Sequence, residues 1–434
     1  VIGSIVIFGI TYLAIATEKL DKTAAALLGA SAAIMLHIVP YEVALHAIDM
    51  NVIFLLVGMM VSVNILASTG VFEWVAVKIA QQAKGNGLLI LIFFLLATAV
   101  MSAFLDNVTT IILIAPITIL ISEILDLPAV PFLILEALAS NIGGAGTLVG
   151  DPPNVIIASQ TGLSFNEFII NMGPPVLVML GGGVFMAVVF FKKQMTVPEA
   201  NKVRIMEAKP EMAILDAPRL KRALAVFSLI LVGFFVSHAV GIEPGIIALG
   251  GSLVMAIVCG ADLHHALEKV EWASVFFFIG LFMLIGALEH NGVFEAMGLI
   301  LTEYTQGNFL LTVMTVLWVS AILSAIVDNI PLVIAMLPLL ASIIPVFGVE
   351  MGLSNDPEAL RTQVAEPLYW SLALGACLGG NGSLVGASAN VVVAQIARRN
   401  NYNLSFWAFT KYGLPTMLGT LVIASGYLYL RYFI

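Results

Sequence analysis

Two Asp-Asn pairs, Asp106-Asn107 and Asp328-Asn329, stand in the middle of long apolar stretches. A carboxylate at the centre of a membrane-crossing segment costs roughly 2.5 to 3.5 kcal/mol on insertion scales, and such residues are usually kept where ions or protons are handled. Asp or Asn at the tip of a helical hairpin has a second use. Its side chain accepts from the first free N–H groups of the returning helix, worth about 1 kcal/mol. Asn107 and Asn329 suit capping and binding equally, whereas the Asp pair favours ion or proton handling.

Glycine-rich breaks form the second chemical signal. Asn141, Gly143, Gly144 and Thr147 fall in one apolar segment, and Gly379, Gly380, Asn381 and Ser383 in another. Glycine admits backbone conformations that other residues resist. Unwound backbone at membrane depth is tolerated where it lines a cavity or is buried in protein. Small-residue helix packing explains a lone glycine pair, but not the polar neighbours, nor Asp151-Pro152-Pro153-Asn154, which must stop a helix. Two breaks at corresponding places in two halves point to a transporter's binding site. The candidate substrate- and ion-binding residues are therefore Asp106, Asn107, Asn141, Gly143, Gly144, Thr147 and Asn154, with Asp328, Asn329, Gly379, Gly380, Asn381, Ser383 and Asn390 from the second half. Candidates for carrying the coupling proton are Asp106, Asp328, Asp151 and Glu136, which stands about two turns before the first break. His264-His265 falls in a predicted loop and reads as solvated, and Cys377 as packing. No metal site is expected.

The elements that position these residues follow from composition. Of 434 residues, 60% are hydrophobic and 10% charged, against roughly 25% charged in soluble domains. The chain must be solvated by lipid, and nucleic acid is no credible partner. Two cysteines are too few for a disulfide framework. Val1 already lies in an apolar run, which leaves a preceding segment open. Twelve apolar segments fall in two sets of six, separated by a polar stretch. The halves match: Gly70-Val71-Phe72-Glu73 answers Gly292-Val293-Phe294-Glu295, and Leu148-Val149-Gly150 answers Leu384-Val385-Gly386. The expected fold is an all-α polytopic membrane protein of two inverted repeats, 1–192 and 222–434, joined by a cytoplasmic linker, 193–221. Each repeat has five spans, a re-entrant hairpin (around 106 and 328) and a broken helix (around 143 and 380). An odd span count inverts the second repeat. It places sixteen of the eighteen basic residues, Lys19, Lys22 and Lys269 among them, on the cytoplasmic side, as the positive-inside rule asks. Arg361 and Arg431 are the exceptions.

At Leu105-Asp106-Asn107-Val108-Thr109-Thr110, and at Ser140-Asn141-Ile142-Gly143-Gly144 through Leu148-Val149-Gly150-Asp151-Pro152-Pro153-Asn154, the chain resembles the ion transporter superfamily. Within it the likeness is to the branch of ArsB-type arsenite permeases, NhaD-type sodium/proton antiporters and the melanosomal P-protein. That resemblance implies a scaffold, a mobile transport domain carrying both hairpins and both broken helices, and elevator-like alternating access. Dicarboxylate members carry Ser-Asn-Thr at the hairpin tips. Here Asp106 and Asp328 take the Ser positions, so an anion would meet two like charges. Ala387-Ser388-Ala389-Asn390 departs from Asp151-Pro152-Pro153-Asn154, which suggests that the halves divide substrate and coupling ion.

The expected function is proton-coupled efflux of arsenite or antimonite across the cell (inner) membrane, with sodium/proton antiport as the alternative and small-anion transport behind it. Coupling is to H+, with Na+ open, and no cofactor is expected. Besides the bilayer and a small inorganic substrate, a homodimer and a separate ATPase subunit stay open as partners. The chain carries no P-loop, and an intramembrane protease reading fails because His-Glu-x-x-His is missing.

Overall fold

In the computed structural model residues 2–17 and 20–434 are described, so the Lys19 placement lies outside the described residues. The helices of the first half are α1 (Ile2–Ala16), α2 (Lys22–Met35), α3 (Tyr41–His46), α4 (Met50–Ala67) and α5 (Val71–Gln82). They continue with α6 (Gly87–Phe104), α7 (Asn107–Ile124), α8 (Ala129–Gly144), α9 (Pro152–Thr161) and α10 (Phe165–Phe191). A short α11 (Glu199–Glu207) follows. The second half has α12 (Ala217–Val240), α13 (Pro244–Cys259), α14 (Leu263–Glu268), α15 (Trp272–His290), α16 (Val293–Tyr304) and α17 (Phe309–Ile326). It ends with α18 (Asn329–Glu350), α19 (Pro357–Leu360), α20 (Glu366–Gly379), α21 (Ser388–Arg399) and α22 (Phe406–Tyr432).

Among the described residues nine helices are long and apolar enough to cross a bilayer, and four shorter apolar helices accompany them. No strand occurs among them. The chain is an all-helical, multi-pass membrane protein.

Six helix pairs start 222 residues apart, from Lys22 and Pro244 to Asn107 and Asn329. Their packing is reciprocal: α2 lies against α15, and α13 against α4. Without a hydrophobic force between helices in lipid, close backbone approach at small residues carries such contacts. A Cβ on Gly58 would sit 2.4 Å from the Ala248 carbonyl carbon, and one on Gly280 would sit 2.8 Å from that of Ala26. Residues 58 and 248 thus contact as 280 and 26 do, which is how two equivalent halves exchange contacts.

The helices form two bodies. In one, α1 to α4 interlock with α12 to α15; in the other, α6 to α10 interlock with α17, α18 and α20 to α22. They meet mainly where α9 touches α4, where α15 touches α18 and where α10 touches α12.

Both long central segments are hairpins. Leu105 and Asp106 take extended conformations between α6 and α7, and the chain returns so that Gly87 abuts Leu127. In the second, the rings of Phe309 and Phe347, near the two ends of the segment, lie 5.1 Å apart. Both broken helices are present too, with non-helical residues 145–151 between α8 and α9, and a short 3-10 turn with extended residues between α20 and α21.

The polar stretch 193–221 is docked rather than loose. Gln81 on α5 donates to the Ala208 carbonyl at 2.7 Å, and Lys78 pairs with Glu211 at 3.2 Å. The following helix begins at Ala217, before the expected boundary at 222. Asp216 caps it by accepting from Arg219 N at 2.9 Å, and Pro218 in the first turn removes only an N–H that would be unsatisfied anyway.

Candidate functional site

Each hairpin tip is built by its aspartate. Asp106 Oδ1 accepts from the backbone N–H of Val108 and Thr109, both at 3.0 Å, and Asp328 Oδ1 accepts from Ile330 N at 3.2 Å. Capping is therefore real at both tips, and it falls to the aspartates. The following asparagines, first residues of α7 and α18, turn inward and are 3% exposed.

The breaks are bolted onto the hairpins by matching bonds. Gly143 lies so near Ala99 O that a Cβ would sit 2.2 Å away, and Gly379 stands likewise to Ala321 O at 2.4 Å. Ser102 donates to Ser140 O and Ser324 to Ala376 O, each at 2.7 Å. Thr147 donates to the Ala103 carbonyl, and Ser383 to Ala325 O at 2.5 Å. Buried carbonyls freed by unwinding need partners. Asn154 Nδ2 supplies them to Gly144 O (3.4 Å) and Thr147 O (2.9 Å), and Asn390 Nδ2 to Gly380 O (2.7 Å) and Ser383 O (2.9 Å).

At the junction of the halves the polar side chains meet. Asn141 Nδ2 donates to Asn381 Oδ1 at 2.9 Å and to Asn390 Oδ1 at 3.0 Å. Asn107 Nδ2 donates to Asn141 Oδ1 (3.3 Å) and Asp151 Oδ1 (3.2 Å), while Asn329 Nδ2 reaches Asp151 Oδ2 at 3.5 Å. The Asp151 carboxylate thus bridges the two hairpin tips. Its counterpart in the second half is Ala387, so the bridge breaks the equivalence of the halves.

Equivalence fails again at the second carboxylate oxygens. Asp106 Oδ2 accepts from its own Thr109 hydroxyl. The residue matching Thr109 is Pro331, which has no hydroxyl, and Asp328 Oδ2 instead accepts from Ser388 Oγ at 2.9 Å and Lys22 Nζ at 3.4 Å.

A cavity of about 460 Å³ reaches this centre. Asp106, Asn107, Asp151, Asp328 and Asn329 line its inner part, and Asp21, Lys22, Glu271, Ser274 and Gln395 line it from the starts of α2 and α15 and from within α21. Among the described residues its ionisable lining is five carboxylates and one amine. A smaller cleft of about 250 Å³ has Leu55, Val155, Ser159, Glu243 and Pro244 where the larger has Phe277, Val391, Gln395, Asp21 and Lys22. Beside this smaller cleft Ser159 Oγ donates to Asp49 Oδ1 at 2.9 Å and accepts from Asn51 Nδ2 at 3.0 Å, fastening α9 to the start of α4.

Of the residues singled out by sequence, Asp106, Asn107, Asp151, Asp328 and Asn329 come together at the cavity. Asn141, Asn154, Asn381 and Asn390 lie behind them in the hydrogen-bonded layer, while the four glycines, Thr147 and Ser383 hold the breaks. Glu136 is elsewhere, buried between α7 and α8 and accepting from Thr118 at 2.6 Å. His264 and His265 are exposed beside Glu268. Cys377 is buried, its thiol 3.5 Å from Asn154 Oδ1. Lys22, Ser388 and Glu271 were not singled out as site residues. Extending the 222-residue register back from Gly58 would have set Lys22 against Pro244, a charge with no counterpart.

A family model described as citrate transporter matches residues 12–375. The chain is 40% identical over 435 residues to an uncharacterised transporter of Mycobacterium bovis, covering 99% of this chain and 98% of that protein. A 46 kDa membrane protein of Mycobacterium leprae is 39% identical over 435 residues, with 99% of both chains covered. The P protein of Sus scrofa is 33% identical over 511 residues, covering 98% of this chain and 59% of the P protein.

Proposed function

We propose that this chain, which belongs to the CitMHS citrate transporter family and is a multi-pass membrane transporter rather than an enzyme, exchanges a monovalent cation such as sodium for protons. The observation that carries this reading is the convergence of Asp106, Asp151 and Asp328 on one cavity whose ionisable lining, among the described residues, is five carboxylates to one amine. Carboxylates supply the hard oxygen ligands that alkali cations take, and each also binds a proton. A site that holds one or the other, never both, couples the two fluxes in opposite directions.

Arsenite is the second reading. A neutral trihydroxide needs partners that donate and accept, and Thr147 and Ser383 are two candidate binding residues whose hydroxyls could do both. Their hydroxyls donate to Ala103 and Ala325 carbonyls, and neither residue lines the cavity. Asn381 Nδ2, without a partner among the described residues, is the feature that favours arsenite. The family's name brings citrate into view, yet a free tricarboxylate would face the same five carboxylates with Lys22 the one amine among the described lining residues to offset them.

Two matched clefts, one reaching the carboxylates and one bridged by Ser159, fit alternating access by movement of the α6–α10 and α17–α22 body against the other. We place the linker and the larger cavity on the cytoplasmic side of the cell membrane, with the second repeat inverted, on the strength of the basic-residue distribution. The experiment is growth of cells stripped of their own sodium and arsenite exporters. The reading expects the chain to restore growth in sodium or lithium; resistance to arsenite alone would overturn it.

A further inference from the structure

Lys22 comes from the other body to reach the hairpin. It opens α2, yet its ammonium lies 3.4 Å from Asp328 Oδ2 and 3.3 Å from Ser388 Oγ. The Phe277 ring lies 5.0 Å from it. The contact is built by coordinated differences between the halves. Hairpin one satisfies its aspartate with Thr109; hairpin two has Pro331 there and leaves the Asp328 oxygen free. Broken helix one carries Pro152, and broken helix two carries Ser388, which completes the Asp328 contact. The position matching Lys22 is Pro244. Three matched positions thus change together to bring one ammonium to one carboxylate.

We propose that Lys22 is the resident cation of the site: with no ion bound its ammonium neutralises Asp328, and the transported cation gains that carboxylate by displacing it. The proposal rests on the cation reading above. The groups facing Lys22 across the cavity are Asp328, Asp21, Glu271, Asp106 and Asp151, so a displaced ammonium still has carboxylates to turn to. Because Asp328 rides on one body and Lys22 on the other, the pair also ties the two together until an ion arrives. Nothing equivalent waits at Pro244, so the tie acts in only one of two alternating orientations.

Two measurements on the purified full-length chain test this. Acetylation of Lys22 by an N-hydroxysuccinimide ester, followed by mass spectrometry, should run about fivefold slower in the wild type than in Asp328→Asn, the scale expected for a half-exposed ion pair. Sodium added to the wild type should speed it, and equal rates in the two proteins would overturn the proposal. In proteoliposomes, Lys22→Gln should lower the half-saturating sodium concentration by about fivefold, whereas Lys22→Arg, which keeps the charge, should stay near wild type. Wild-type sodium flux with an unchanged or raised half-saturation in Lys22→Gln overturns this proposal alone. Absence of sodium flux in the wild type overturns the cation reading and the proposal with it.

Discussion

The Asn141 carboxamide donates to Asn381 Oδ1 at 2.9 Å, joining the two helix breaks directly across the junction of the halves. Both residues are fully buried. In such surroundings an amide left without its partner costs about 1 to 3 kcal/mol. Asn141→Ala removes bonds to Asn381, Asn390 and Asn107 together. It should lower the thermal unfolding midpoint in detergent, followed by tryptophan fluorescence, while Asn201→Ala in the linker should not. An unchanged midpoint for Asn141→Ala would show that the breaks are held without this layer.

Gly58 should tolerate no side chain, because a Cβ there meets Ala248 and Leu249 backbone at 2.4 and 2.5 Å. Gly58→Ala should destabilise by about 1 to 3 kcal/mol through overpacking. Gly182→Ala, where nothing among the described residues lies within 4 Å, is the matched control. Equal unfolding midpoints for the two variants would contradict the close α4–α13 contact.

The hairpins and breaks were legible in the sequence because each needs residues that lipid-facing helices avoid. An aspartate in an apolar run and a cluster of glycines beside Asn and Thr both mark places where the helix must stop. The repeat was legible for the same reason, since the polar and glycine positions recur in order. The roles within the site were less so. Thr147 and Ser383 read as binding residues, and only the fold shows their hydroxyls spent on carbonyls of the hairpin in their own half. Lys22 read as a topology marker near a membrane edge, because its approach to Asp328 spans 306 residues and depends on how the two bodies lie together. Glu136 read as part of a relay from its spacing along α8, but its side chain turns to Thr118 on α7 instead.

Ser159 should act as a latch on the smaller cleft. Ser159→Ala removes its bonds to Asp49 and Asn51 and should favour opening there. A cysteine at Glu243, on the wall of that cleft, should then react faster with a thiol reagent than in the otherwise wild-type background, by about threefold to tenfold for loss of one or two hydrogen bonds. No change in rate would mean that the cleft is closed by apolar packing alone.

Orientation of the halves can be read by labelling from one side. With single cysteines in intact cells, Glu207→Cys in the linker should react only after permeabilisation. Glu303→Cys, near the end of α16, should react from outside. Both sites behaving alike would remove the inverted arrangement.

The most direct test is flux into sealed vesicles holding the purified chain under an imposed proton gradient. The account predicts sodium movement against the proton flux, abolished in Asp106→Asn, Asp151→Asn and Asp328→Asn while Glu136→Gln retains it. Arsenite movement indifferent to sodium, or full sodium/proton exchange after loss of any of the three aspartates, would contradict it.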